Sequence, residues 1–207
     1  MSLAADFKYG IVITGVIASG KSTALNILRE RGYSVLCADT IAHDMLNANA
    51  LKVAQVFGSD LLEYNGAKAM INRAKLGKIV FSDANERKKL EEILHPLISE
   101  QIFKEIKILE RDKKLYFVDI PLFFESGGQD KYGLKCALIY APKELILKRL
   151  MARNDLSKND ALLRISAQMD IEQKRALSDY IIDNSTDLQS LERNIDEFLK
   201  QVHKESN

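Results

Sequence analysis

Gly15-Val16-Ile17-Ala18-Ser19-Gly20-Lys21-Ser22 matches the phosphate-loop pattern G-x-x-x-x-G-K-[ST] in full. Its flanks decide the fold. Residues 9–14, Tyr-Gly-Ile-Val-Ile-Thr, are short, β-branched and continuously apolar, as in a strand buried on both faces of a parallel sheet. Downstream, Ala24, Leu25, Ile27 and Leu28 share one face of a helix that ends at Gly32. Strand, loop and helix in that order aim backbone N–H groups and the positive end of the helix dipole at an anion. Lys21 would then reach the β- and γ-phosphates of a nucleoside triphosphate, and the Ser22 hydroxyl would ligate Mg²⁺. A glycine-rich turn opening an ordinary helix is the plainer alternative, and the flanks argue against it.

The same strand–helix alternation continues along the chain. Residues 33–37 read as a second buried strand, closed by Ala38-Asp39, with a helical pattern from Ile41. Residues 49–113 show helical stretches, turn signals at Gly58, Tyr64-Asn65-Gly66 and residues 82–85, and no convincing strand. A long charged helix is predicted over 86–111, interrupted or bent near His95-Pro96. Residues 115–120, 135–140 and 180–183 read as third, fourth and fifth strands. Pro142 lies near the start of a helix through about Arg153, residues 157–175 form a charged helical stretch with Ser157 as N-cap, and an amphipathic helix covers 188–202. Five strands alternating with helices predict an α/β fold, a five-stranded parallel sheet covered on both faces.

The composition bounds the function. The chain has 207 residues, 46% of them hydrophobic, enough for a substantial core. Thirty basic against 29 acidic residues, a formal net charge of +1, provide no overall field for nucleic acid or membrane, so any phosphate affinity is local. No signal peptide or membrane span is read in the sequence, and the expected location is the cytoplasm. Residues 1–8 show no periodicity and read as a loose leader. Cys37 and Cys136, each in an apolar run, are expected to be free buried thiols.

Ligands of open α/β sheets bind beyond the carboxyl ends of the strands, which singles out Asp39 and Asp119. Asp39 can accept a proton from an attacking hydroxyl, or simply cap the helix from Ile41. Asp119 follows Tyr-Phe-Val, as does the aspartate that holds Mg²⁺ in many phosphate-loop proteins, while Pro121 makes a turn role equally open. Arg149 and Arg153, four apart, and Arg164 on the next helix can clamp phosphates; a solvated helix face explains the same spacing. The histidines, among them His43 and His203, show no metal spacing. Ser126-Gly127-Gly128-Gln129 shares four letters with the transporter-ATPase signature but lacks its following Asp-Glu strand, and a glycine-rich loop is the better reading.

Several segments together resemble the dephospho-coenzyme A kinase family. They are residues 14–23, Cys37-Ala38-Asp39-Thr40-Ile41-Ala42-His43, Val56-Phe57-Gly58, Ile71-Asn72-Arg73, Leu94-His95-Pro96-Leu97-Ile98, Pro121-Leu122-Phe123-Phe124-Glu125, the stretch 149–153, Arg164-Ile165-Ser166-Ala167-Gln168 and residues 179–184. The resemblance implies a phosphate-loop kinase with a nucleotide-binding core (9–48, 114–142, 176–203), a helical CoA-binding region (49–113) and a lid (143–175). It implies ATP as phosphoryl donor with Mg²⁺ on Ser22, and dephospho-CoA as acceptor. ATP would contact Gly15, Ala18, Ser19, Gly20, Lys21, Ser22, Thr23, Arg149 and, near the adenine, Asn184. Asp39 would be the catalytic base, working with Lys21 and Arg149, while Asp39, Arg73 and His95 would meet the acceptor. A monomer or small homo-oligomer is expected. The family usually has Gly where this chain has Val16 and Ala18, an Asp where it has Cys37, and an Ala where it has Ser178. A phosphate-loop kinase for another small acceptor and a nucleotide-dependent switch share the loop and remain alternatives.

Overall fold

Every position of the first strand, β1 (Gly10–Gly15), is buried, and the computed structural model describes residues 7–205 around it. Most of the predicted leader, residues 1–6, lies outside the described residues. α1 (Lys21–Glu30) follows, then β2 (Ser34–Cys37), α2 (Ala38–Ala48) and α3 (Ala50–Phe57). A 3-10 turn leads to a hairpin of β3 (Leu62–Asn65) and β4 (Lys68–Ile71), and helices α4 (Arg73–Ser82) and α5 (Ala84–Arg111) come next. The chain returns through β5 (Tyr116–Asp119), α6 (Gly128–Tyr132), β6 (Lys135–Tyr140) and α7 (Lys143–Asn154). It closes with α8 (Lys158–Ser166), α9 (Ile171–Leu177), β7 (Tyr180–Asp183) and α10 (Leu188–Glu205).

The predicted five-stranded sheet is present, in the order β2-β5-β1-β6-β7. β1 is central, with Ile13 opposite Asp119 on one side and Ala137 on the other. This parallel register brings Gly15, Asp119, Tyr140 and Asp183 to the same edge, the carboxyl ends of their strands. On one face Ile11, Ile13, Phe117, Ile139 and Ile182 pack against Leu25 and Leu28 of α1 and Leu191, Ile195 and Phe198 of α10. On the other, Leu138 packs with Ile146 of α7 and Ile171 of α9. Burial of each such side chain contributes roughly 1.5–3 kcal/mol before entropy is subtracted, which is why both faces of these strands read apolar.

The chain divides into two compact units: Cys37–Glu105, and the described residues on either side of that span. The first unit, the flanking one, holds the sheet. Cys37–Glu105, the second unit, has its own core of Leu46, Val53, Leu61, Ile71, Leu76, Val80 and Leu94.

The structure corrects several expectations. Residues 62–71 form an antiparallel hairpin where no strand was predicted. Its positions are mostly exposed, so its side chains carry little apolar alternation, and only the turn was legible. Gly66, at φ 61°, is the first of two loop residues, as a tight hairpin turn requires. α5 runs unbroken through Pro96, with buried Leu94, Ile102 and Ile106 holding its turns on both sides of the proline. The charged stretch 157–175 is two helices. Ser157 caps the first by accepting the Asp160 N–H at 3.2 Å, and Asp170 caps the second by accepting the Glu172 N–H at 2.9 Å. α2 begins at Ala38, three residues early, so Asp39 lies in its first turn and is not its N-cap. Gly128 is the first residue of α6 and not loop; a Cβ there would fall 2.3 Å from the Phe123 ring. Cys136 is buried and its thiol is pushed up to about 12 by that burial, whereas Cys37 is only half-buried.

Candidate active site

The phosphate loop leaves β1 at Gly15 and enters α1 at Lys21 through two left-handed residues, Ala18 (φ 62°) and Gly20 (φ 96°). Neither glycine of the phosphate-loop pattern has room for a side chain: a Cβ on Gly15 would lie 2.5 Å from Ser19 Oγ, and one on Gly20 would lie 2.0 Å from Asn184 Nδ2. The Ser19 N–H donates to the Val16 carbonyl at 3.0 Å, closing the loop on itself.

Groups far away in sequence hold this loop. Buried Asn184, directly after β7, donates from Nδ2 to the Ser19 carbonyl at 2.8 Å and from its own N–H to the Tyr140 carbonyl at 2.7 Å. Gln168 Oε1 accepts the Ile17 N–H at 2.8 Å. Beside the loop, the Pro121 carbonyl accepts from Thr14 Oγ1 at 3.0 Å and from Lys174 Nζ at 3.2 Å. Lys174 is fully buried, and its charge is balanced by Glu125, 2.9 Å away.

A cavity of about 910 Å³ opens over the loop. Gly15, Ala18, Gly20, Lys21, Ser22, Thr23, Arg149 and Asn184 all line it, as does Arg153. Ser19 lies behind the wall, buried. Lys21 Nζ donates to the Asp119 carboxylate, which places an ammonium at the mouth of α1 and makes Asp119 a buried strand-end partner, not a turn residue. Arg149 Nη1 is buried without a hydrogen-bond partner. An unpaired buried donor on a guanidinium is costly, and an anionic oxygen is the partner that suits it best. Cationic side chains, helix N-terminus and orphaned donor together suit a polyphosphate. The Ser22 hydroxyl and Asp119 carboxylate add hard oxygen donors of the kind Mg²⁺ takes.

Arg164 is exposed on α8 and does not line the cavity. Asp39, Arg73 and His95 lie in the second unit, all exposed: Asp39 in the first turn of α2, Arg73 at the start of α4 behind its cap Asn72, and His95 within α5. Among the cavity residues with no assigned role are Pro121, Gln168, Thr186 and Asp187. Asp187 was findable, since it immediately precedes the predicted last helix and accepts the Ser190 N–H at 2.8 Å. No helix among the described residues is long and apolar enough to cross a membrane.

A family model described as dephospho-CoA kinase matches residues 9–190. A dephospho-CoA kinase of Helicobacter pylori is 52% identical over 196 residues, covering 94% of this chain and 98% of the relative. One of Sulfurimonas denitrificans is 43% identical over 199 residues, covering 95% of each. The solved structure of dephospho-CoA kinase from Campylobacter jejuni superposes with a TM-score of 0.77 at 37% identity, over 96% of this chain and 99% of that one.

Proposed function

The chain belongs to the dephospho-CoA kinase family, and from that premise we propose that it transfers the γ-phosphoryl group of ATP to the ribose 3′-hydroxyl of dephospho-CoA. The products are CoA and ADP, and the step is the last of coenzyme A biosynthesis. The structural observation that supports phosphoryl transfer is the partnerless, buried Arg149 Nη1 on the wall of the cavity that Lys21 and Ser22 also line.

In this reading the loop N–H groups and Lys21 hold the β- and γ-phosphates, and Arg149 and Arg153 meet the charge that develops on the transferring group. Asp119 keeps the Lys21 ammonium at the site before nucleotide binds. Ser22 and Asp119 would hold Mg²⁺, which would supply neutralisation of phosphate charge when bound with the triphosphate. Asp39 takes the proton from the 3′-hydroxyl as that oxygen bonds to the γ-phosphorus and the bond from phosphorus to the β–γ bridging oxygen breaks. The region 49–113, with Arg73 and His95, binds the CoA portion. Residues 143–175 close as a lid that excludes water, which would otherwise be phosphorylated in place of the acceptor. The enzyme works in the cytoplasm as a monomer or small homo-oligomer, with no nucleic-acid or membrane partner.

The test is ADP release from Mg·ATP with dephospho-CoA, AMP, shikimate or no acceptor, with the product's phosphate position read by ³¹P NMR. A 3′-phosphorylated product from dephospho-CoA alone is expected. Turnover with another acceptor reassigns the substrate, and nucleotide binding without transfer replaces the enzyme with a switch.

A further inference from the structure

Ala18, two residues before Gly20, holds φ 62° without being glycine. A left-handed alanine costs about 1–2 kcal/mol and persists only where its neighbours over-determine the backbone. Both neighbours are tied. On one side the Ser19 carbonyl accepts from Asn184 at 2.8 Å; on the other the Ile17 N–H donates to Gln168 Oε1 at 2.8 Å. An N–H can only donate, so this bond also fixes which end of the Gln168 carboxamide faces the loop.

Gln168 is itself anchored through the turn between α8 and α9. The next residue, Met169, donates its N–H to Glu125 Oε1 at 2.9 Å, and the same Glu125 is paired with fully buried Lys174. Lys174 reaches in turn to the Pro121 carbonyl on the cavity wall. The path from Ile17 through Gln168 to Glu125 therefore ends on a fully buried side chain, Lys174.

We infer that Gln168 is a positioning residue for the phosphate loop: by accepting the Ile17 N–H it fixes the strained loop backbone in its binding form before a triphosphate enters. The inference rests on the kinase reading only in that the loop binds a nucleoside triphosphate. It is not a role in the chemistry, so its loss raises the nucleotide requirement and leaves the rate at saturation nearly alone.

Gln168→Met keeps the side chain's length and removes the acceptor, whereas Gln168→Glu keeps an acceptor at the same reach. Exchange of the Ile17 amide, followed by ¹⁵N NMR in the free protein, is expected to quicken by roughly 10-fold in Gln168→Met and to stay near wild type in Gln168→Glu. The dissociation constant for Mg·ATP and its KM should rise about 5- to 10-fold in Gln168→Met with kcat within about twofold, the loss of one hydrogen bond. Unchanged Ile17 exchange, or unchanged ATP affinity, in Gln168→Met overturns the inference. If Gln168→Met does not fold, rapid Ile17 exchange in Gln168→Glu overturns it instead. Amide exchange and ATP binding are read without any acceptor, so failure of dephospho-CoA as substrate would leave these outcomes intact and be recognised separately.

Discussion

The two units of this protein carry their polar residues in opposite ways. In the first, most of the proposed ATP groups line one cavity because a strand, a loop and a helix adjacent in sequence place them there, joined by Arg149 and Asn184 from farther along the chain, and Gln168 and Asn184 hold the loop. In the second, Asp39, Arg73 and His95 stand exposed on three different helices. A phosphate site can be built from backbone N–H groups and a helix end within about ten residues. Recognition of an acceptor depends on side chains presented singly, each with a small structural and a large functional cost of removal.

The sharpest test of that contrast is Asp39→Asn. Because Asp39 is exposed and buttresses no core, the substitution should leave folding intact while kcat falls roughly 10²- to 10⁴-fold at nearly unchanged KM for ATP. Near-normal turnover would remove Asp39 as base and leave the second unit without a catalytic group. Arg149→Met should lower kcat/KM by about 10²- to 10³-fold, since it deletes the guanidinium of a cavity-lining residue proposed to meet the transferring group. It should lower the melting temperature little, because Nη1, one of the donors it deletes, is buried and unsatisfied in the free protein; a large loss of stability would show the guanidinium to be structural.

Asn72 sharpens the comparison from the stability side. Its side chain accepts the Lys75 N–H at 2.9 Å and donates to Glu63 at 2.5 Å, and its N–H donates to the Leu61 carbonyl at 2.8 Å. Asn72→Ala should cost about 1 kcal/mol, a fall of roughly 2–4 °C in Tm by calorimetry, with KM for ATP unaltered. The smallest effect belongs to Glu205 in the first unit. Its carboxylate accepts from Lys135 Nζ at 2.8 Å and from the Tyr180 hydroxyl at 2.5 Å, and these bonds, Lys135's foremost, lower it from 4.5 to about 2. A lowered carboxylate stabilises fully above its unfolded pKa, and that contribution is lost as pH falls from about 4.5 toward 2. Glu205→Gln should therefore slightly lower Tm at neutral pH and remove a part of the acid dependence in that window.

Legibility follows the same division. The strands at 135–140 and 180–183 match their predicted bounds residue for residue: the first is buried on both faces over its centre and must be apolar there, and the second, an edge strand that alternates buried and exposed positions, is short and β-branched. The hairpin at 62–71 escaped, since exposed strands carry no such constraint. Arg149 was open between a phosphate clamp and a solvated helix face; it lines the cavity and its Nη1 is buried, which argues against a solvated face and supports the proposed clamp. Asn184, expected near the adenine, is seen bracing the loop at the Ser19 carbonyl.

By itself the sequence determined the phosphate loop, the five sheet strands and most of the helices between them, because loop sterics and the two-sided burial of the central strands restrict which residues can occupy consecutive positions. Only the tertiary structure decided that Gln168, Asn184, Glu125 and Lys174 brace that loop and its walls. Those contacts join positions as much as 165 residues apart, and a hydrogen bond over such a distance leaves no periodicity or spacing in the chain.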